Sequence, residues 1–80
     1  MKPYVFSRHA RNRLRRVKLT QEELLELLPH AAASRRESTR ESIWLRWQGG
    51  WIRVVLVEEP DTMLVITVIW PAREPRSQQV

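Results

Sequence analysis

Ile43-Trp44-Leu45-Arg46-Trp47-Gln48-Gly49-Gly50-Trp51-Ile52-Arg53-Val54-Val55-Leu56 is the stretch on which the fold turns. Two runs rich in β-branched and aromatic residues, Ser42 to Gln48 and Trp51 to Glu58, flank a Gly-Gly pair, a pattern that predicts a β-hairpin. Both glycines accept the positive φ of a type I′ turn. With Gly49-Gly50 as the loop, Gln48 opposes Trp51, Trp47 opposes Ile52, Arg46 opposes Arg53, and Leu45 opposes Val54. Continuing outward, Trp44 opposes Val55 and Ile43 opposes Leu56. One face is then Ile43, Leu45, Trp47, Ile52, Val54 and Leu56, uniformly apolar and suited to carrying helices. The other face holds Trp44, Arg46, Trp51, Arg53 and Val55. Like charges directly opposite one another destabilise a sheet, so this expected Arg46/Arg53 pair has little structural purpose. Tryptophan faces beside it can stack guanidinium groups or nucleobases. The competing reading makes Trp44 and Trp51 cross-strand packing residues or a dimer contact.

Beyond the hairpin, Glu59-Pro60-Asp61-Thr62 reads as a turn and Met63 to Trp70 as a third, almost wholly apolar strand. A one-residue slip at the Pro60 turn exchanges this strand's faces, so its register stays open. Pro71 is expected to end it, leaving 1–71 as a single domain and 72–80 as a flexible C-terminal tail. Upstream, Tyr4 to Phe6 reads as a short opening strand and Ser7 as a helix N-cap. Ala10, Leu14 and Val17 recur at helical spacing, so Arg8 to about Lys18 forms a helix with a thin apolar stripe. Arg8, Arg11 and Arg15 lie near its outer face, and His9, Arg13 and Arg16 flank the stripe. Thr20-Gln21-Glu22-Glu23 fits a capping box opening a second helix. Its buried face is Leu24, Leu25, Leu27 and Leu28, and Pro29 stops it. His30 to Glu41 is expected to be a loop that could end in a short edge strand. The fold class is α+β, two N-terminal helices on one face of a three- to four-stranded antiparallel sheet, in the order β-α-α-β-β-β.

The charge balance narrows the partners. Fourteen Lys and Arg face nine Asp and Glu, a formal net charge of +5 across 80 residues. Lys2, Arg8, Arg11, Arg13, Arg15, Arg16 and Lys18 all precede the first acid, Glu22. Nearly all the cations are Arg, whose planar fork grips phosphate in a way that Lys cannot. The charge is expected to meet a polyanion of the RNA type. An acidic protein partner or a merely solvated helix face are the alternatives. The chain has no cysteine, so neither disulfides nor thiolate zinc sites enter, which fits a reducing cytoplasm. No acid cluster brings in histidine at ligand spacing, so neither metal nor cofactor is expected. No leader peptide is evident, and the apolar run from Met63 to Trp70 is far shorter than the ~20 residues of a membrane span.

Phe6-Ser7-Arg8-His9-Ala10-Arg11-Asn12-Arg13-Leu14, followed by Leu19-Thr20-Gln21-Glu22-Glu23-Leu24 and later Val65-Ile66-Thr67-Val68, resembles a small bacterial family with an H-A-x-x-R helix. That family is similar to the RelE/ParE-type toxin superfamily. The resemblance implies two helices packed on an antiparallel sheet and a toxin silenced by an antitoxin. Many superfamily members cut mRNA, usually on the ribosome, and others poison gyrase. Val17 and Lys18 stand here where the family commonly has Arg and Gly, and the late Tyr, His or Lys of RNA-cutting members has no counterpart. For metal-independent RNA cleavage the candidate residues are His9 as base, in the first helical turn, and Arg13, Arg46 and Arg53 as phosphate clamps. The competing reading gives His9 a packing or capping role. Arg8, Arg11, Arg15, Arg16, Lys18, Trp44 and Trp51 are the candidate nucleic-acid contacts. A non-catalytic binding module and a homodimeric interaction domain are the alternative functions.

Overall fold

The computed structural model describes residues 2–75. Its elements are β1 (Tyr4–Phe6), α1 (Arg8–Val17), α2 (Gln21–Leu27), a 3-10 turn (Leu28–His30), β2 (Ala33–Glu37), β3 (Arg40–Trp47), β4 (Gly50–Glu58) and β5 (Met63–Ala72). The α+β class matches expectation, but the sheet has five strands, ordered β1-β5-β4-β3-β2. It is also mixed: β1 runs parallel to β5, pairing Val5 with Leu64 and Phe6 with Val65, whereas the other neighbours are antiparallel. A parallel pair needs a long connection, and here everything between β1 and β5 supplies it. The extra strand is β2, in the segment expected to be mainly loop. Its sequence Ala-Ser-Arg-Arg-Glu has no strand-forming run, and it extends because β3 offers it an open ladder through a two-residue turn at Ser38-Thr39. Exposed charges on this edge discourage pairing with other chains.

The helices form as their local signals dictate. Ser7 Oγ accepts from the Ala10 amide at 3.0 Å and donates to the Ile66 carbonyl at 3.0 Å, so one side chain caps α1 and ties it to β5. The capping box is reciprocal: Thr20 Oγ1 accepts from the Glu23 amide and Glu23 Oε1 from the Thr20 amide. Between the helices Lys18 takes the left-handed conformation, φ 61, and the Leu19 amide reaches back to the Leu14 carbonyl. This is a Schellman closure, with Leu14 and Leu19 both buried beneath it.

The core lies between the helices and one face of the sheet. Ala10, Leu14, Leu24 and Leu28 meet Ile43, Leu45, Ile52, Val54, Leu56, Val65 and Val68, all buried. The apolar hairpin face therefore carries the helices, as expected. Val65 and Val68 both face inward although three residues apart, because a register shift between the Val55 and Leu56 pairs adds one residue to β5. A second shift, between the Trp51 and Arg53 pairs, lets β5 continue through Pro71 to Ala72 rather than ending at Trp70. Of the expected tail, Ala72 to Pro75 is therefore described as strand and following chain, and 76–80 lie outside the described residues.

Candidate nucleic-acid interface

Among the described residues no helix covers the other face of the sheet. The hairpin sets its pattern, with the turn one residue earlier than expected and every cross-strand partner therefore shifted by two. Gln48 (φ 47) and Gly49 (φ 75) form the turn, so Trp47 pairs with Gly50. Face membership is unchanged, but the partners differ: Arg46 opposes Trp51, Trp44 opposes Arg53, and Ser42 opposes Val55. The expected Arg46/Arg53 and Trp44/Val55 pairs are not formed. In physical terms this register exchanges one like-charge repulsion for two cation–π contacts. The Arg46 guanidinium lies 4.8 Å from the Trp51 ring centre and that of Arg53 lies 5.1 Å from Trp44.

Gly50 is held in this register by another contact. A Cβ there would stand 3.0 Å from Trp70 Cη2 and 3.2 Å from Cζ3, so the second glycine makes room for a ring of β5 rather than closing the turn. Trp70 in turn meets Trp47 edge-on, centroids 4.8 Å apart, on the helix side. Two of the four tryptophans thus serve the core edge, and Trp44 and Trp51 are half-buried on the helix-free face.

Arg53 is anchored as well as stacked. Its Nε and Nη2 donate to Ser42 Oγ at 3.3 and 2.9 Å, and Ser42 is itself buried. Among the described residues neither Arg46 nor Arg53 has an acid within ion-pair distance. Beside Trp44 and Arg53 runs a groove of about 470 Å³, bounded by Arg35 of β2, Ile69 of β5 and the chain from Pro71 to Pro75. Such a volume suits a small ligand or one nucleotide unit. Arg35 at its rim pairs with Glu37 at 3.1 Å. Sequence alone does not mark Ser42, Arg35, Ile69 or the segment after Pro71 as part of this surface. Ser42 was within reach, since it alternates with Trp44 and Arg46 on the same strand face; the others needed β2 and the β5 extension.

The remaining candidates stand elsewhere. Arg8, His9, Arg11, Arg15, Arg16 and Lys18 are exposed on or beside α1, on the helix side of the sheet. Arg13 is committed to structure, its Nε donating to the Val68 carbonyl at 3.1 Å. His9 and Arg13 are therefore separated from Arg46 and Arg53 by the sheet, and the four do not form one cleavage site. At one end of the sheet Glu58 accepts from Lys2 at 2.7 Å and from Arg36, and those two hydrogen bonds hold its carboxyl down at about 2. No group of three metal-ligating side chains occurs among the described residues, and no helix there is long and apolar enough to cross a membrane. Comparison with protein-family models, curated proteins and solved structures finds no match.

Proposed function

We propose that this protein binds unpaired RNA across the helix-free face of its sheet. The observation that carries the reading is the pair of Arg/Trp contacts, Arg46 on Trp51 and Arg53 on Trp44, with no acid among the described residues neutralising either guanidinium. Single strands are held by that combination: bases stack on aromatic faces while cations follow the backbone. A duplex keeps its bases stacked inside and has no use for half-exposed indoles. The geometry favours an unpaired strand, and the resemblance to RelE/ParE-type toxins favours RNA, with messenger on the ribosome as the target to test first and an antitoxin as the partner.

Cleavage is not part of the reading. His9 lies across the sheet from the paired arginines, and no strand residue on the helix-free face is histidine or tyrosine. The test is a fluorescence-anisotropy titration of a short uridine RNA between about 50 and 200 mM salt. Affinity falls with salt by about 0.7 log units per log unit for each phosphate held on a single strand. Trp44→Ala removes one stacking surface and weakens binding by about 1–3 kcal/mol, or about 5- to 160-fold. Affinity that is flat with salt, or unaffected by Trp44→Ala, rules the reading out.

A further inference from the structure

The five cations on or beside α1 form a second surface that the sheet face does not use. Arg8, Arg11 and Arg15 are spaced by three and four residues and line one exposed side of the helix, with Arg16 and Lys18 beside them. None lies within ion-pair distance of an acid among the described residues, and α1 contains no acid at all. Arg8 also stands in the first turn, where the helix dipole opposes a cation. Repulsion along the stripe and at the dipole is thus left uncompensated among the described residues, and an external polyanion would relieve both.

The chemistry of the stripe selects its occupant. The apolar residues of α1, Ala10, Leu14 and Val17, face the core, so the exposed side offers no apolar anchor. A protein interface of ordinary kind has an apolar centre depleted of charge, which this side lacks. It also presents no tryptophan, tyrosine or phenylalanine on which an unstacked base could lie. Closely spaced arginines without aromatics suit the phosphate backbone of a double helix, where contacts position without reading sequence. The sheet face offers the converse, aromatic surfaces for unpaired bases.

We infer that the protein bridges two RNA elements, an unpaired strand on the sheet face and a double-helical backbone on α1. The two surfaces lie on opposite sides of the sheet, so an RNA on one leaves the other open and one molecule can hold both at once. Its substrate class is then a stem beside a single-stranded segment, or two separate RNAs brought together. This rests on the sheet face taking unpaired RNA.

The experiment places a short uridine RNA on beads and supplies a labelled blunt RNA duplex with increasing protein. The wild type captures the duplex with a rise and then a fall, because excess protein occupies each RNA separately. Arg8→Gln/Arg11→Gln/Arg15→Gln, all exposed positions, loses capture while its affinity for the uridine strand changes by less than about twofold beyond the effect of its lower charge. Its salt slope for duplex binding drops by about 2.7, at about 0.9 for each of three phosphates. Trp44→Ala/Trp51→Ala loses the uridine strand and keeps the duplex. Undiminished capture by the triple arginine variant overturns the inference, as does mutual competition between the two RNAs on the wild type. The second result leaves single-strand binding standing. Failure of the wild type to bind the uridine strand at all, with duplex binding intact, overturns the sheet-face reading and the bridging together.

Discussion

Ser42→Ala separates the charge of Arg53 from its placement. Ser42 Oγ accepts both Nε and Nη2 of Arg53, at 3.3 and 2.9 Å, and holds the guanidinium against Trp44. Removing one hydroxyl leaves the cation count unchanged and frees a side chain that binding must then order again. Immobilising a flexible side chain costs about 0.5–1.5 kcal/mol, so RNA affinity should fall about 2- to 13-fold. The salt slope should stay at the wild-type value, because no phosphate partner has been removed. Arg53→Ala makes the contrast: affinity falls and the slope drops by about 0.7. The lost hydrogen bond costs the fold about 1 kcal/mol, or about 4–8 °C in Tm for a domain of this size, so the titration is run well below the transition. Anisotropy of a uridine RNA at several salt concentrations measures both quantities. Wild-type affinity in Ser42→Ala, or a reduced slope, refutes the idea that Ser42 acts by positioning Arg53.

Two further predictions concern stability. Glu58 has its carboxyl depressed to about 2 from an ordinary 4.5 by hydrogen bonds from Lys2 and Arg36, so its contribution is fully present above pH 4.5 and is lost as pH falls towards 2. Thermal melts across that window should show the gap between wild type and Glu58→Gln closing with acid; a gap independent of pH contradicts the ion-triad account. Gly50→Ala should cost about 1–3 kcal/mol in urea melts, because its Cβ meets the Trp70 ring at 3.0 Å. Gly49→Asn, strained by its φ of 75 but with open space around it, should cost less than Gly50→Ala, since asparagine is among the few residues that visit that conformation; equal losses at both positions contradict the distinct roles assigned to the two glycines.

What could be read from sequence was local or a matter of parity. The Ser7 cap and the Thr20 box are made by residues three apart, so their sequence is their structure. The two faces of the hairpin are legible because moving the turn by one residue shifts every partner by two, which preserves alternation. The partners across the strands are not, because the register depends on Trp70, twenty residues beyond Gly50 in the chain. β2 has no signal of its own and is extended only because β3 lies beside it. The inward positions of Val65 and Val68 depend on an extra residue in β5 that alternation cannot anticipate. His9 and Arg13 stand apart from Arg46 and Arg53 for a reason of topology that sequence does not carry: α1 packs on the face of the sheet opposite the hairpin arginines.

The fate of the positive charge argues for function more strongly than its amount. Stability needs few of these cations. Lys2, Arg35 and Arg36 meet carboxylates, and Arg13 is bound to a strand carbonyl that anchors α1. The other described cations have no acid partner, and they are sorted rather than scattered. Arg8, Arg11, Arg15, Arg16 and Lys18 gather around α1, whereas Arg40, Arg46, Arg53 and Arg73 stand on the helix-free side or at the wall of its groove. Acids do reach the sheet-side group, with Glu37 opposite Arg40 and Glu74 on the groove wall, but α1 has none and Glu58 is spent on the sheet's end. Keeping like charges together raises the free energy of the folded chain, and a polyanion that releases its counterions on binding offsets that cost. Only the sheet-side group is interleaved with indoles, Trp44 and Trp51, both half-buried, so the two surfaces differ in what they can recognise even though they share a sign.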